Sequence, residues 1–239
     1  MGTDLDTRQR LLDTAARLFA QRGFNNVTVR DLCAEAKANV ASVNYHFRNK
    51  YGLYVAVVGL AIDAMRSVNE DARRVGEGHA AEQKLRLYIR VFLERLQAIG
   101  RDSWIHQLIR HEFSDPTGAL DLLIEKGLRP RFEYLSGLVG ELVGCPVDDP
   151  RVLKCVISIQ AQFLTLVPSP AFARMYEKFK RAPPALDEVA EHIAEFSLAG
   201  IRALGSYRAG GDRHAHLARR DAAPSPRKVT VRIRRRKQP

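Results

Sequence analysis

Between Leu11 and Lys50 the chain is punctuated so closely that few folds remain open to it. Leu11, Ala15, Leu18 and Phe19 recur at i, i+4, i+7 and i+8, the stripe of an amphipathic helix over 7–22. Gly23 follows at once and can end that helix in a left-handed turn. Thr28 can cap a short helix over 29–36, with Asp31 three residues on as a shorter relative of the capping-box glutamate. Asn39 can cap a second short helix over 40–46.

A longer first helix, a short second one, a tight turn and another short helix make up the helix-turn-helix plan, whose last helix lies in the DNA major groove. In this reading Val40 and Val43 turn inward against Leu32 and Leu18. Ala38, Asn39, Ser42, Asn44, Tyr45 and His46 are left facing out. These are short hydrogen-bonding groups and aromatics with few acids among them, suited to base edges and phosphates. Lys50 opens the next helix, where its ammonium and the helix N-terminus can share one phosphate.

The rest of the chain before residue 206 also reads as helix, so the fold class is all-α. A long helix over 51–74 carries Leu53, Val57, Leu60, Ala64 and Val68 in register, and Gly76 and Gly78 end it. Further helices fit 80–99, 103–113, 117–143, 149–167, 171–180 and 186–205, with Pro130 kinking or splitting the 117–143 stretch. The organisation expected is a DNA-binding domain at 1–50, a helical effector-binding and dimerisation domain at 51–206, and a basic disordered tail at 207–239.

Net charge does not carry the nucleic-acid argument. Of the +11, residues 207–239 hold eleven Lys/Arg against Asp212 and Asp221, and residues 1–206 hold 27 basic against 25 acidic side chains. The body is nearly neutral and the tail is a polycation, read as a solubilising extension, a partner-binding arm or, preferred, a sequence-independent DNA clamp. Within the tail, Lys228 to Arg234 alternates at period two and can form a strand when bound. No apolar run approaches the roughly 18 residues of a spanning helix. Met1 to Arg10 has no apolar signal-peptide core. A cytoplasmic protein without a membrane partner is expected. Cys33, Cys145 and Cys155 form no C-x-x-C pair and read as small buried hydrophobes.

The motifs T-V-R-D-L-C-A-E-A at 28–36 and Y-H-F-R-N-K-Y-G-L-Y at 45–54, behind L-x-x-A-A-x-x-L-F-A-x-x-G-F at 12–24, resemble the TetR family signature over roughly residues 8–60. A-N-V-A-S-V-N-Y-H-F at 38–47 and R-H-E-F-S-D-P-T at 110–117 are similar to its CecR-like subgroup. The resemblance implies a homodimeric, ligand-responsive regulator of transcription, most often a repressor, on a palindromic operator. It implies phosphate contacts from Thr28, Ser42, Tyr45, His46 and Lys50, and groove-facing roles for Asn39, Ala41 and Asn44. Lys37 lies in the turn beside them, where the family usually has glycine, and must take a left-handed conformation at some cost.

Trp104, His106, Arg110, His111, Phe113, Arg131, Phe132 and Tyr134 gather aromatic and polar types suited to a small-ligand pocket, and the arginines favour an anionic or aromatic effector. The same set equally suits a core with a polar rim. Val152, Cys155, Val156, Ile159, Phe163 and Leu166 form one apolar stripe, and Leu186, Val189, Ile193, Phe196, Gly200 and Leu204 another. They read as a four-helix bundle across a twofold axis, or as packing inside one subunit. No catalytic constellation appears and no cofactor is implied. Gly76-Glu77-Gly78 lacks a third glycine and a preceding strand, and His106 and His111 are five apart, a poor metal spacing. The rivals are a low-specificity DNA-coating protein, an enzyme on a helical body, and an activator of the same fold.

Overall fold

The computed structural model describes residues 4–99, 103–166 and 170–206, and every regular element among them is helical. In chain order these are α1 (Asp4–Arg22), α2 (Val29–Ala36), α3 (Val40–Phe47), α4 (Lys50–Gly76), α5 (Ala81–Ile99), α6 (Trp104–Ser114), the single turn α7 (Leu120–Leu122), a π-helical segment (Leu123–Leu128), α8 (Arg129–Val143), α9 (Pro150–Leu166), α10 (Pro170–Lys178) and α11 (Leu186–Ser206). The readings of the tail, including the clamp and the 228–234 strand, lie outside the described residues.

The expected break in the 117–143 stretch takes the form of a π segment. Pro130 sits in the first turn of α8 and has no N–H to give, and just before it the ladder widens to i→i+5 over Leu123–Leu128. Glycine fits here because the backbone comes close to α4: a Cβ at Gly127 would stand 3.2 Å from Met65 Sδ.

Two cores organise the helices, and α4 runs through both. The first gathers Leu11, Leu18 and Phe19 of α1, Leu32 of α2, Val43 and Phe47 of α3, and Leu53 through Ile62 of α4, closed by Leu108 of α6, Ala119 and Leu123. Helices as short as α2 and α3 are marginal alone, and this burial holds them. The second core joins Ala72 of α4 to Leu85, Tyr88, Ile89 and Leu93 of α5, Leu135 and Val139 of α8, and buried residues of α9 and α11. By length and hydropathy α4 alone could cross a membrane, which the sequence reading did not register. Its apolar face is instead split between the two cores.

The two apolar stripes predicted for a subunit interface turn out to be mostly internal. Val152, Cys155, Val156, Ile159, Phe163, Val189 and Ile193 are buried within the second core. What α9 and α11 expose is the other face: Leu153, Ile157 at 54 % and Phe196 at 65 %. Gly200, one turn beyond Phe196, is also exposed.

Candidate nucleic-acid interface

The turn that sets α2 against α3 is built from local hydrogen bonds. Thr28 Oγ1 accepts from the Asp31 N–H at 3.1 Å, and Asp31 Oδ2 accepts from the Thr28 N–H at 2.8 Å, a complete capping box. The Thr28 hydroxyl also donates to Asp31 Oδ2 at 2.7 Å. These bonds from Thr28 hold the Asp31 carboxyl below its ordinary pKa. Lys37 ends α2 at φ 50°, ψ 47°, the left-handed conformation its position requires, and its N–H bonds Cys33 O. The missing glycine therefore leaves the turn intact at the cost of one strained residue.

Asn39 caps α3: its Oδ1 accepts from the Ser42 N–H at 2.7 Å and from Ser42 Oγ at 2.9 Å. Val43 and Phe47 anchor the helix in the first core. Asn39, Ala41, Asn44 and Tyr45 are exposed, Tyr45 at 77 %. Val40, expected to face inward, is 48 % exposed. It lies in the first turn of α3, past the edge of the core that Val43 reaches.

Two residues expected to face DNA are occupied inside the protein. His46 was placed on the outer face, yet its side chain is only 7 % exposed, with Nε2 3.2 Å from Asp4 Oδ1 at the start of α1. The Lys50 ammonium does not point outward to a phosphate. It donates to Phe24 O at 2.8 Å and Val27 O at 2.7 Å and lies 4.2 Å from the centroid of the Phe24 ring. Burial lowers its pKa. It ties the start of α4 to the α1–α2 connection.

One cation at this surface escaped the sequence reading. Arg48 follows α3 at φ 69°, ψ −44°, a sparsely populated conformation for a non-glycine residue, and it is exposed. An arginine directly after the predicted recognition helix was the available signal. Asn49 then caps α4 through Gly52 N–H at 2.8 Å. Any Cβ at Gly52 would overlap the Phe47 carbonyl oxygen, so α3 and α4 meet backbone to backbone.

The ligand candidates are divided between the two cores. Trp104 packs half-buried against the first core, and His106 is also half-buried. His111 lies against Gly23, with Nδ1 3.2 Å from where a Cβ would stand. Arg110, Phe113 and Phe132 are exposed. Arg131 and Tyr134 belong with the second core, Arg131 5.0 Å over the Phe92 ring and Tyr134 5.7 Å from Tyr88. The expected grouping of all eight in one place is thus not what forms, because α6 packs on the DNA-binding head.

The contacts of α6 and the loop after it join body to head. Glu112, 1 % exposed, accepts from the Tyr54 hydroxyl of α4. It also accepts from the Thr117 N–H at 2.8 Å and the Thr117 hydroxyl at 2.9 Å. Burial, then the bond to Glu112, pushes the Tyr54 hydroxyl pKa upward. Asn25 Nδ2, in the α1–α2 connection, donates to Asp115 Oδ2 at 2.8 Å.

Comparison with known proteins accords with this geometry. Residues 11–57 match the family described as "Bacterial regulatory proteins, tetR family". Residues 81–201, about half of the chain, match "HTH-type transcriptional dual regulator CecR, C-terminal domain". The Escherichia coli K12 protein named "Probable acrEF/envCD operon repressor" is 28 % identical over 191 residues, 77 % of this chain and 86 % of that protein. The "HTH-type transcriptional dual regulator CecR" of Shigella flexneri is 27 % identical over 157 residues, 61 % of this chain and 69 % of that protein. A TetR-family transcriptional regulator from Streptomyces coelicolor superposes with a TM-score of 0.58 at 18 % identity, covering 84 % of this chain and 90 % of its own. The fatty acid degradation regulator FadR from Bacillus halodurans gives a TM-score of 0.56 at 18 % identity over 82 % of this chain and 96 % of its own. The chain belongs to the TetR family of transcriptional regulators, with a C-terminal domain of the CecR type.

Proposed function

We propose that the protein is a dimeric, effector-responsive repressor of a palindromic operator. The observation that carries the reading is the outer surface of α3. Val40, Ala41, Asn44 and Tyr45 are exposed along it, with Lys37 and Arg48 exposed at its two ends. Asn44 can hydrogen-bond a base edge, and Val40 and Ala41 can meet thymine methyl groups. Tyr45, Lys37, Arg48 and the Ser42 and Thr28 hydroxyls can reach phosphates on either side. His46 and Lys50 serve as supports that hold α3 and α4 at the angle the groove needs.

A second copy is the partner for Leu153, Ile157, Phe196 and Gly200, the apolar face that α9 and α11 leave uncovered. A twofold axis there gives two recognition helices and hence an operator with inverted half-sites. Repression is the sign carried by the name of the Escherichia coli relative. An effector bound in the body reaches the head through Glu112, Tyr54 and Asp115.

Footprinting on the gene's own upstream DNA tests the reading. Two protected half-sites are expected, about 34–36 Å apart centre to centre or a multiple of that. Affinity should exceed that for random DNA by roughly a thousandfold or more. A ratio near one would mean a DNA-coating protein and end the operator model. Ile157→Asp should convert the protein to a monomer in sedimentation equilibrium and remove the footprint.

A further inference from the structure

Inside the second core, three polar atoms have no partner in the protein. Tyr88 Oη, Arg131 Nε and Asn69 Oδ1 are each shut off from solvent and unbonded. Buried polar groups are nearly always satisfied, and each exception costs its desolvation. The three are also gathered in one place.

Tyr88 is fully buried on α5, its ring stacked on Phe92 at 6.0 Å and 5.7 Å from the ring of Tyr134 on α8. Phe92 meets Phe163 of α9 at 4.6 Å. The guanidinium carbon of Arg131 stands 5.0 Å from the Phe92 centroid, and its charge acts on the Tyr88 hydroxyl. Asn69 faces the same stretch. It lies between Arg66 and Arg73 on one side of α4, and those side chains reach the carbonyls of Lys126 and Pro130, beside Arg131. Four aromatic rings thus surround a guanidinium, with two orphan donors and one orphan acceptor.

A mouth adjoins this box. A pocket of about 460 Å³ opens beside the end of α4, lined by Arg73, Arg74, Glu77, Lys84 and Tyr134, three cations to one acid. That volume lies within the usual range of ligand pockets. Tyr134 belongs to both, facing Tyr88 on the inside and lining the pocket on the outside, with Arg73 stacked on its ring at 5.0 Å. A positive mouth concentrates anions.

We propose that this box is the regulator's effector site and that its ligand is a small aromatic acid. The ring sits among Tyr88, Phe92 and Tyr134, and the carboxylate accepts from Arg131 Nε and the Tyr88 hydroxyl. A hydroxyl or amine on the ring donates to Asn69 Oδ1. Entry is past Tyr134. A cation of the same shape meets Arg131 as a like charge, and a neutral one leaves it unpaired. The assignment rests on the regulator reading above.

The test is calorimetry on the full chain without DNA, using benzoate and 4-hydroxybenzoate against benzylamine and benzyl alcohol. The acids should bind saturably, one per chain, with Kd at or below roughly 1 mM. The hydroxylated acid should bind more tightly, and the amine and alcohol should not register. Arg131→Met should weaken acid binding by roughly tenfold or more. Tyr88→Phe should weaken it several-fold while the free protein melts at the same temperature or higher, because that hydroxyl has no bond to lose. A purely structural hydroxyl would lower the melting temperature instead. Absence of saturable acid binding, equal affinity in Arg131→Met, or equal binding of the amine overturns the assignment. Operator gel shifts on the same samples separate the two readings. Operator binding without acid binding removes only the effector site, and acid binding without operator preference removes the regulator reading.

Discussion

Replacing Lys50 with methionine separates two roles that the residue cannot both fill in full. Its ammonium gives two of its three protons to Phe24 O and Val27 O, at 2.8 and 2.7 Å. Hydrogen bonds from a charged donor contribute about 1.5–3 kcal/mol each, and removal of one partner strands the other. The two bonds share one ammonium and are not additive, and the methionine stem keeps some packing on the Phe24 ring. A net loss of about 2–3 kcal/mol is expected. At roughly 2–4 °C per kcal/mol for a chain of this size, the melting temperature should fall by about 4–12 °C. The assay with most power is the salt dependence of operator affinity. Each phosphate neutralised contributes about 0.9 to the slope of log K against log salt, so two phosphate-bound lysines in a dimer would contribute about 1.8. A clamp leaves that slope unchanged. A melting temperature within about 2 °C of wild type, with the slope reduced by about 1.8, would refute the clamp and restore the phosphate contact.

Three further substitutions probe neighbouring joints. Gly52→Ala places a Cβ on the Phe47 carbonyl oxygen; overpacking of this kind costs about 1–3 kcal/mol or more. Operator affinity should fall at least tenfold while the helical circular dichroism signal persists, and wild-type affinity would show that the junction yields freely. Tyr54→Phe leaves Glu112 Oε2 buried without its donor, so urea unfolding should show a loss of about 1.5–3 kcal/mol, and a change under about 0.5 kcal/mol would mean the bond is not made. The capping box sets a pH dependence: because Thr28 holds the Asp31 pKa below its ordinary 3.8, its contribution is fully present above about pH 4 and is lost as pH falls through the lowered value. Carboxyl carbon shifts in Thr28→Ala should show the Asp31 pKa rising back toward the ordinary value, and an unmoved titration would contradict the cap.

The sequence shows what is local. Thr28, Asp31 and Asn39 cap within three residues of themselves, so α2 and α3 could be bounded from the chain alone, and the left-handed Lys37 followed from the turn it occupies. Periodicity identified apolar faces correctly and could not say what covers them. Val152, Val156 and Ile193 form a true stripe, but α5 and α8 of the same subunit cover it, and the residues free to meet a partner lie on the opposite side. Val40 shows the same limit at smaller scale: its phase is that of Val43, but the core ends before reaching it. His46 and Lys50 were misplaced because their partners, Asp4, Phe24 and Val27, are more than twenty residues distant, where spacing carries no information. The orphan atoms of Tyr88 and Arg131 were invisible for the same reason.

The chain order of head and body differs from the way the two are packed. A division after Lys50 separates them in sequence, but the first core also contains α4 as far as Ile62, Leu108 of α6, Ala119 and Leu123. Head and body therefore share helices, and a disturbance in one must move residues counted in the other. The π segment Leu123–Leu128 is the shortest route between them: Leu123 is buried in the first core, and Arg131 stands just past the segment's other end, against the second. Its i→i+5 ladder is a rare geometry that recurs at functional sites. A ligand that draws Arg131 inward pulls on this segment, and through Leu123 and the neighbouring Thr117–Glu112–Tyr54 bonds it reaches the part of α4 on which α3 rests. The rigid elements on either side transmit the shift because both cores are close-packed and move as units. Stiffening the segment should then weaken the effector's influence on operator affinity while leaving the affinity of each ligand alone nearly unchanged, since coupling is a free energy separate from either binding energy.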